Sequence, residues 1–113
     1  MNDNYDSSVI VQQWLRDHHI PFTTEQSFEG LMGDYNYLRF DIYLEQYRMC
    51  IEVDGQQHYK IDRTVNADVN AFLKKRDYAR RKEWFCYQHG IFLMRLVWDE
   101  LPYLDQILGF LIQ

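Results

Sequence analysis

YLRFDIYLEQYRMCIEVD, residues 37–54, decides how this chain folds. Leu38, Phe40, Ile42 and Leu44 alternate with Arg39, Asp41 and Tyr43, the period-2 pattern of a half-buried strand over 37–44. Glu45, Gln46 and Tyr47 make a turn. Residues 48–54 form a second strand, with Met49, Ile51 and Val53 inward and Glu52 and Asp54 on the opposite face. Strands joined so closely pair as an antiparallel hairpin. Both apolar sets must serve one core, because a slip of one residue would turn one set to solvent. An odd-numbered residue therefore stands opposite an even one, and the short turn pairs Asp41 with Glu52 and Arg39 with Asp54.

The rest is arranged around this hairpin. Ser7 or Ser8 can cap a first helix, in which Ile10 pairs with Trp14 and Val11 with Leu15 at a spacing of four, and Pro21 ends it. Residues 22–36 (FTTEQSFEGLMGDYN), with Gly30 and Gly33, give a short extended piece and then a loop. After the hairpin, 55–65 is a loop starting at Gly55. A long helix follows from near Asn66 to His89, its seam formed by Phe72, Ala79 and Cys86 and widened by Leu73, Tyr78 and Phe85. Gly90 can end it in a left-handed conformation. Residues 91–98 (IFLMRLVW) are an apolar strand, expected to be buried on both faces. Asp99 can cap a last helix whose apolar face includes Leu104, Ile107, Leu108 and Leu111. The order α-β-β-β-α-β-α predicts an α/β or α+β sandwich around a mixed sheet.

The 113 residues fit one domain, and 47% hydrophobic with 17% aromatic content is ample for a core and wrong for a disordered chain. No apolar run is long enough for a membrane span, and MNDNYDSS shows no signal-peptide pattern. Cys50 and Cys86 are expected as buried free thiols in a reducing cytoplasm. The net charge of −5 argues against a general phosphate binder, but six of the 12 Lys and Arg fall within 74–82: Lys74, Lys75, Arg76, Arg80, Arg81 and Lys82. That run is either a solvated helix face or a phosphate-facing strip.

The paired acids carry the chemistry. Carboxylates opposed across a hairpin stand roughly 4.5–5.5 Å apart at Cβ and repel. A divalent cation removes that penalty, and carboxylate oxygens are what Mg²⁺ (or Mn²⁺) prefers. Asp54 lies one step along the same face, and His58 follows just past Gly55. This grouping suits phosphodiester hydrolysis: the metal polarises a phosphate oxygen or activates a water, and a neutral histidine takes the proton. The bland alternative makes Asp41 and Glu52 solvated acids with Arg39 and Arg48 as surface partners, Asp54-Gly55 a plain turn and His58 structural.

RFDIYL (39–44) followed by IEVDGQQHY (51–59) resembles the core of the PD-(D/E)XK, or restriction-endonuclease-like, nucleases. It is more similar to the branch related to very-short-patch-repair endonucleases and certain phage-encoded and homing endonucleases. There the usual lysine is absent and a histidine stands a few residues after an Asp-Gly turn. The basic helix ending in YQHGIFLMRL (87–96) is similar to that branch too, so the likeness covers roughly residues 10–98. It implies a Vsr-like, metal-dependent DNA endonuclease in a bacterial or phage-encoded, cytoplasmic setting. Asp41 matches the first motif's metal-binding acid and Glu52 the second motif's. Glu52-Val53-Asp54 puts an acid where the motif's lysine would stand, which moves the base role to His58. Val53 would offer its carbonyl to the metal. Glu25 matches an acid contributed after the first helix, and Asp77 and Lys82 are candidates for an acid and a base on the long helix. Lys74, Lys75, Arg80, Arg81 and Lys82 would contact nucleic acid.

The partner is then DNA, or structured or single-stranded nucleic acid on which Tyr59, Tyr78, Trp84 and Trp98 could stack. No membrane is implied. So short a domain has little room for a separate sequence-reading module, which points to a homodimer or a larger assembly. The competing function is a non-catalytic nuclease-fold module that binds nucleic acid or a protein partner.

Overall fold

The computed structural model describes residues 3–55 and 69–112. His58, Tyr59 and most of the expected 55–65 loop lie outside the described residues. The elements are α1 (Asp3–Asp17), β1 (Thr23–Met32), β2 (Tyr37–Leu44), β3 (Met49–Asp54), α2 (Val69–Gln88), β4 (Phe92–Val97) and a short α3 (Leu104–Leu108). The strands form one sheet in the order β1-β2-β3-β4. β1/β2 and β2/β3 are antiparallel, and β3/β4 is parallel. The fold is the mixed-sheet α+β sandwich that the alternation predicts.

The hairpin has the expected register. Ile42 pairs with Ile51, Tyr43 with Cys50 and Leu44 with Met49. A 3-10 turn at Glu45–Tyr47 joins the strands, closed by Arg48 in the left-handed region at φ 48°. The face assignment, however, fails at one point. Ile42 and Leu44 pack with Met49, Ile51 and Val53, but Leu38 and Phe40 belong to a second cluster with Tyr43, Cys50, Phe85 and Cys86. Residues two apart in a regular strand share a face. Phe40 and Ile42 do not, so β2 turns over at Asp41. A hairpin with one polar face was expected; the stretch 40–44 is instead covered on both sides.

The first cluster joins this inner face to Val11 and Leu15 of α1 and to Leu104, Leu108 and Leu111 near the C-terminus. The indole of Trp14 donates to Asp105 at 2.8 Å and ties α1 to α3. In the second cluster α2 lies on the other face of the sheet, with Phe28 edge-on to Phe40 and Tyr43 and tilted against Phe85. Cys50 and Cys86 are both free and buried there.

Several boundaries differ from expectation. α1 begins ahead of Ser7, so neither serine caps it; the Ser8 hydroxyl accepts from Gln12 instead. The helix ends ahead of Pro21, with His19 at φ 57° and the Ile20 N–H on the Leu15 carbonyl. β1 runs ten residues, where only a short extended piece was expected. Glu25 and Gly30 at positive φ and a register break between Ser27 and Met32 disturb its alternation. Phe72 and Leu73 are exposed, so the α2 seam engages only from Tyr78 onward. β4 is an edge strand packed on both faces, Met94 and Leu96 in the first cluster and Leu93 in the second, but most of it is only partly buried. The final helix is three short pieces, and its start is capped by Glu100, whose carboxylate accepts the Val97 N–H, rather than by Asp99. Gly90 does end α2 left-handed, at φ +66°.

Candidate active site

Beyond Ile42 and Ile51 the β2–β3 register, carried one step on, sets Asp41 opposite Glu52. There the two side chains stand in for backbone carbonyls. The Asp41 N–H donates to Glu52 Oε2 at 3.0 Å, and the Val53 N–H donates to Asp41 Oδ2 at 2.8 Å. Each acid thus satisfies a strand N–H of the other's neighbourhood, which holds the two carboxylates side by side. This is the same place where β2 turns over. The disturbance reaches β1, because the pairs Thr24–Ile42 and Gln26–Phe40 put Glu25, at φ 51°, level with Asp41.

The pair is withdrawn from water. Glu52 is the one charged side chain among the described residues that is buried, and Asp41 is half-buried. A buried carboxylate needs a partner. Lys82 of α2 supplies it: its ammonium bonds Glu52 Oε1 and sits 5.3 Å from the centre of the Phe40 ring. The Asp41 carboxyl is pushed up to about 7 by burial first and then by the Glu52 charge, against the Val53 N–H and Lys82. β4 brings Arg95 beside Glu52 in the parallel register. Its guanidinium donates to the Ala79 carbonyl at 3.2 Å and lies 3.5 Å from Glu83. Two carboxylates, one ammonium and a guanidinium therefore gather at the seam between sheet and helix. Such a group can bind a cation, hold a proton on Asp41 near neutral pH, or do each in turn.

The other expected site residues lie around this pair. Asp54 is half-buried at the end of β3, level with Val97. Glu25 is exposed on the edge strand. Among the described residues no three Asp, Glu, His or Cys side chains converge as a metal cage. The basic run divides. Lys74 is engaged with Asp34 at the β1–β2 turn. Arg81 bonds Asp77 at 2.7 Å and the Met32 carbonyl at 3.0 Å. Asp77 is thereby held on the helix surface. Lys82 points inward to Glu52, and Lys75, Arg76 and Arg80 are exposed. Arg48 does not partner the acids; it donates to the His89 carbonyl at 2.6 Å and closes the end of α2. Arg95 escaped the sequence reading, although a lone cation inside IFLMRLVW asks for a buried acceptor.

No family model matches the chain, and no curated protein does. Among solved structures, the catalytic domain of the homing endonuclease I-Bth0305I superposes with a TM-score of 0.58 at 22% identity, covering 93% of this chain and 88% of that one. At that identity the likeness shows a shared fold.

Proposed function

We propose that this chain is a metal-dependent endonuclease that hydrolyses phosphodiester bonds of DNA, of the PD-(D/E)XK type and similar to the very-short-patch-repair branch. The observation that carries this reading is the meeting of Asp41 and Glu52 across β2 and β3, locked by reciprocal contacts with strand N–H groups. The shared fold with a homing endonuclease catalytic domain supports it.

The donor set fits a small divalent cation. Two adjacent carboxylates repel unless a positive charge lies between them, and hard oxygen donors suit Mg²⁺ or Mn²⁺. Asp41, Glu52 and the Val53 carbonyl would hold the ion. Bound there, it would polarise a phosphate oxygen and ease deprotonation of a water. The protein's own groups do the rest. Asp41, raised by burial and by the Glu52 charge, would be favoured as a carboxylate once a cation sits beside it. Lys82 keeps Glu52 oriented. His58, five residues past Val53 in sequence, is assigned the base that takes the proton of the attacking water. Asp54 and Glu25 are assigned to support that water and its base. Lys74, Lys75 and Arg81 would neutralise backbone phosphates.

The test is plasmid cleavage by purified protein with Mg²⁺ or Mn²⁺. Wild type should nick or cut, and chelation should stop it. Asp41→Asn should reduce the rate by at least ~100-fold, and His58→Ala by ~100- to 10,000-fold, the usual contribution of general-base catalysis. Equal inertness of wild type and variants across salt and sequence, or cleavage indifferent to chelator, overturns the reading.

A further inference from the structure

The acid pair lies under α2; the opposite face of the same helix has no role in it. Leu73, Arg76, Arg80, Trp84 and Tyr87 recur at steps of three and four, which places them along one stripe. The packed side of α2 is formed by Lys82, Phe85 and Cys86, so this stripe faces solvent. Its exposures bear that out: Leu73 52%, Trp84 60% and Tyr87 77%. The indole of Trp84 and the ring of Tyr87 stack with centroids 5.5 Å apart and planes 24° from parallel, forming a broad aromatic surface. Exposed Trp and Tyr on a helix otherwise rich in charge are costly to leave wet without a use.

The charges on this face are sorted. Its acids are already engaged, Asp77 by Arg81 and Glu83 by Arg95. Among the described residues neither Arg76 nor Arg80 forms an ion pair. The Arg76 guanidinium lies 6.0 Å from the Phe72 ring. A chain of net charge −5 thus presents a cationic and aromatic strip in which nearby carboxylates are neutralised. Arginines one helical turn apart, beside a π-stacked pair, match a polyanion with exposed π-faces.

We propose that the outer face of α2 binds single-stranded nucleic acid, with unpaired bases stacking on Trp84 and Tyr87 and the backbone running along Arg80 and Arg76. It rests on the cleavage reading only for the choice of DNA as the probe. A duplex buries its base faces and leaves the aromatic pair without a partner, so the surface distinguishes unpaired from paired strands. It also lies apart from Asp41 and Glu52, so binding does not need them.

The test is fluorescence anisotropy with a labelled oligothymidine of about 15 nucleotides, near the upper site size of single-strand grooves, and with its duplex, both in EDTA. Wild type should bind the single strand more tightly than the duplex. Trp84→Ala should weaken single-strand binding by about 5- to 150-fold, the span of one base–aromatic stack, and Trp84→Phe should recover most of it. Arg76→Gln with Arg80→Gln should make the log–log salt slope shallower by about 1.4. These outcomes hold whether or not cleavage is found, so loss of the nuclease reading and loss of this one are separable. Single-strand affinity unchanged by Trp84→Ala in a variant with the wild-type circular dichroism spectrum overturns the proposal. So does self-association in sedimentation velocity that Trp84→Ala abolishes, because the stripe would then seat a second copy.

Discussion

At the scale of single residues, three charges settle the character of the site. Asp41 and Glu52 are held together by strand N–H groups, and Lys82 neutralises only one of them. Burial first, and then the Glu52 charge, raise the Asp41 carboxyl from its ordinary 3.8 to about 7. The sign of its effect follows: between those two values the folded state binds more protons than the unfolded state, so stability falls as pH rises. Across that window the loss is on the order of 2–4 kcal/mol. Urea unfolding of the metal-free protein at successive pH values should show this slope, and Asp41→Asn should remove it. A wild-type-minus-variant difference that stays flat from acid to neutral pH would sink the assignment. Lys82 gives a second prediction. Removing one partner of a buried pair leaves an uncompensated charge, so Lys82→Met should destabilise by about 3–5 kcal/mol. The double variant Lys82→Met/Glu52→Gln should recover much of that loss, because no orphan charge is left. If the two substitutions add, the ion pair is not the reason Lys82 is there.

At the scale of elements, the hairpin was legible because one physical demand fixes its register: two apolar sets must reach the same core. The same demand sets Asp41 opposite Glu52. It could not show that β2 turns over at Asp41, since the alternation Leu38, Phe40, Ile42, Leu44 is unbroken in sequence and the switch is made by carboxylates replacing carbonyls. β1 was illegible for a related reason, because residues at positive φ scramble a period-2 pattern. The inward turn of Lys82 was half legible: it falls three residues before Phe85 and four after Tyr78, within the packed face of α2, yet a run of cations reads first as a solvated strip. The helix stop was fully legible from Gly90. Its φ of +66° with open space around the missing Cβ isolates the backbone effect. Gly90→Ala should then cost about 1–2 kcal/mol in urea unfolding, from the left-handed strain alone, and Gly90→Asn should cost less. Equal, near-zero effects would mean that the α2 terminus relaxes at no expense.

At the scale of the whole molecule, the sheet has two differently used faces. One packs on α1 and the C-terminal turns through an apolar cluster; the other packs on α2 and carries the site. α2 reaches the sheet through Phe85 against Phe28, and that contact sets how Lys82 hangs over Glu52. Stability and site geometry should therefore separate by face. Phe85→Ala and Leu108→Ala each open a cavity in a buried cluster and should each lower stability by roughly 2–5 kcal/mol. Only the first loosens α2 over the acids. At a temperature where both variants are folded, Phe85→Ala should shift the pH dependence of unfolding set by Asp41 and depress metal-dependent cleavage beyond its effect on the folded fraction. Leu108→Ala should leave both at wild-type values. The comparison is informative because both variants open a cavity in a buried cluster and differ in the layer disturbed. If both change the Asp41 titration alike, the sheet transmits strain from either side, and α2 is not the element that tunes the site.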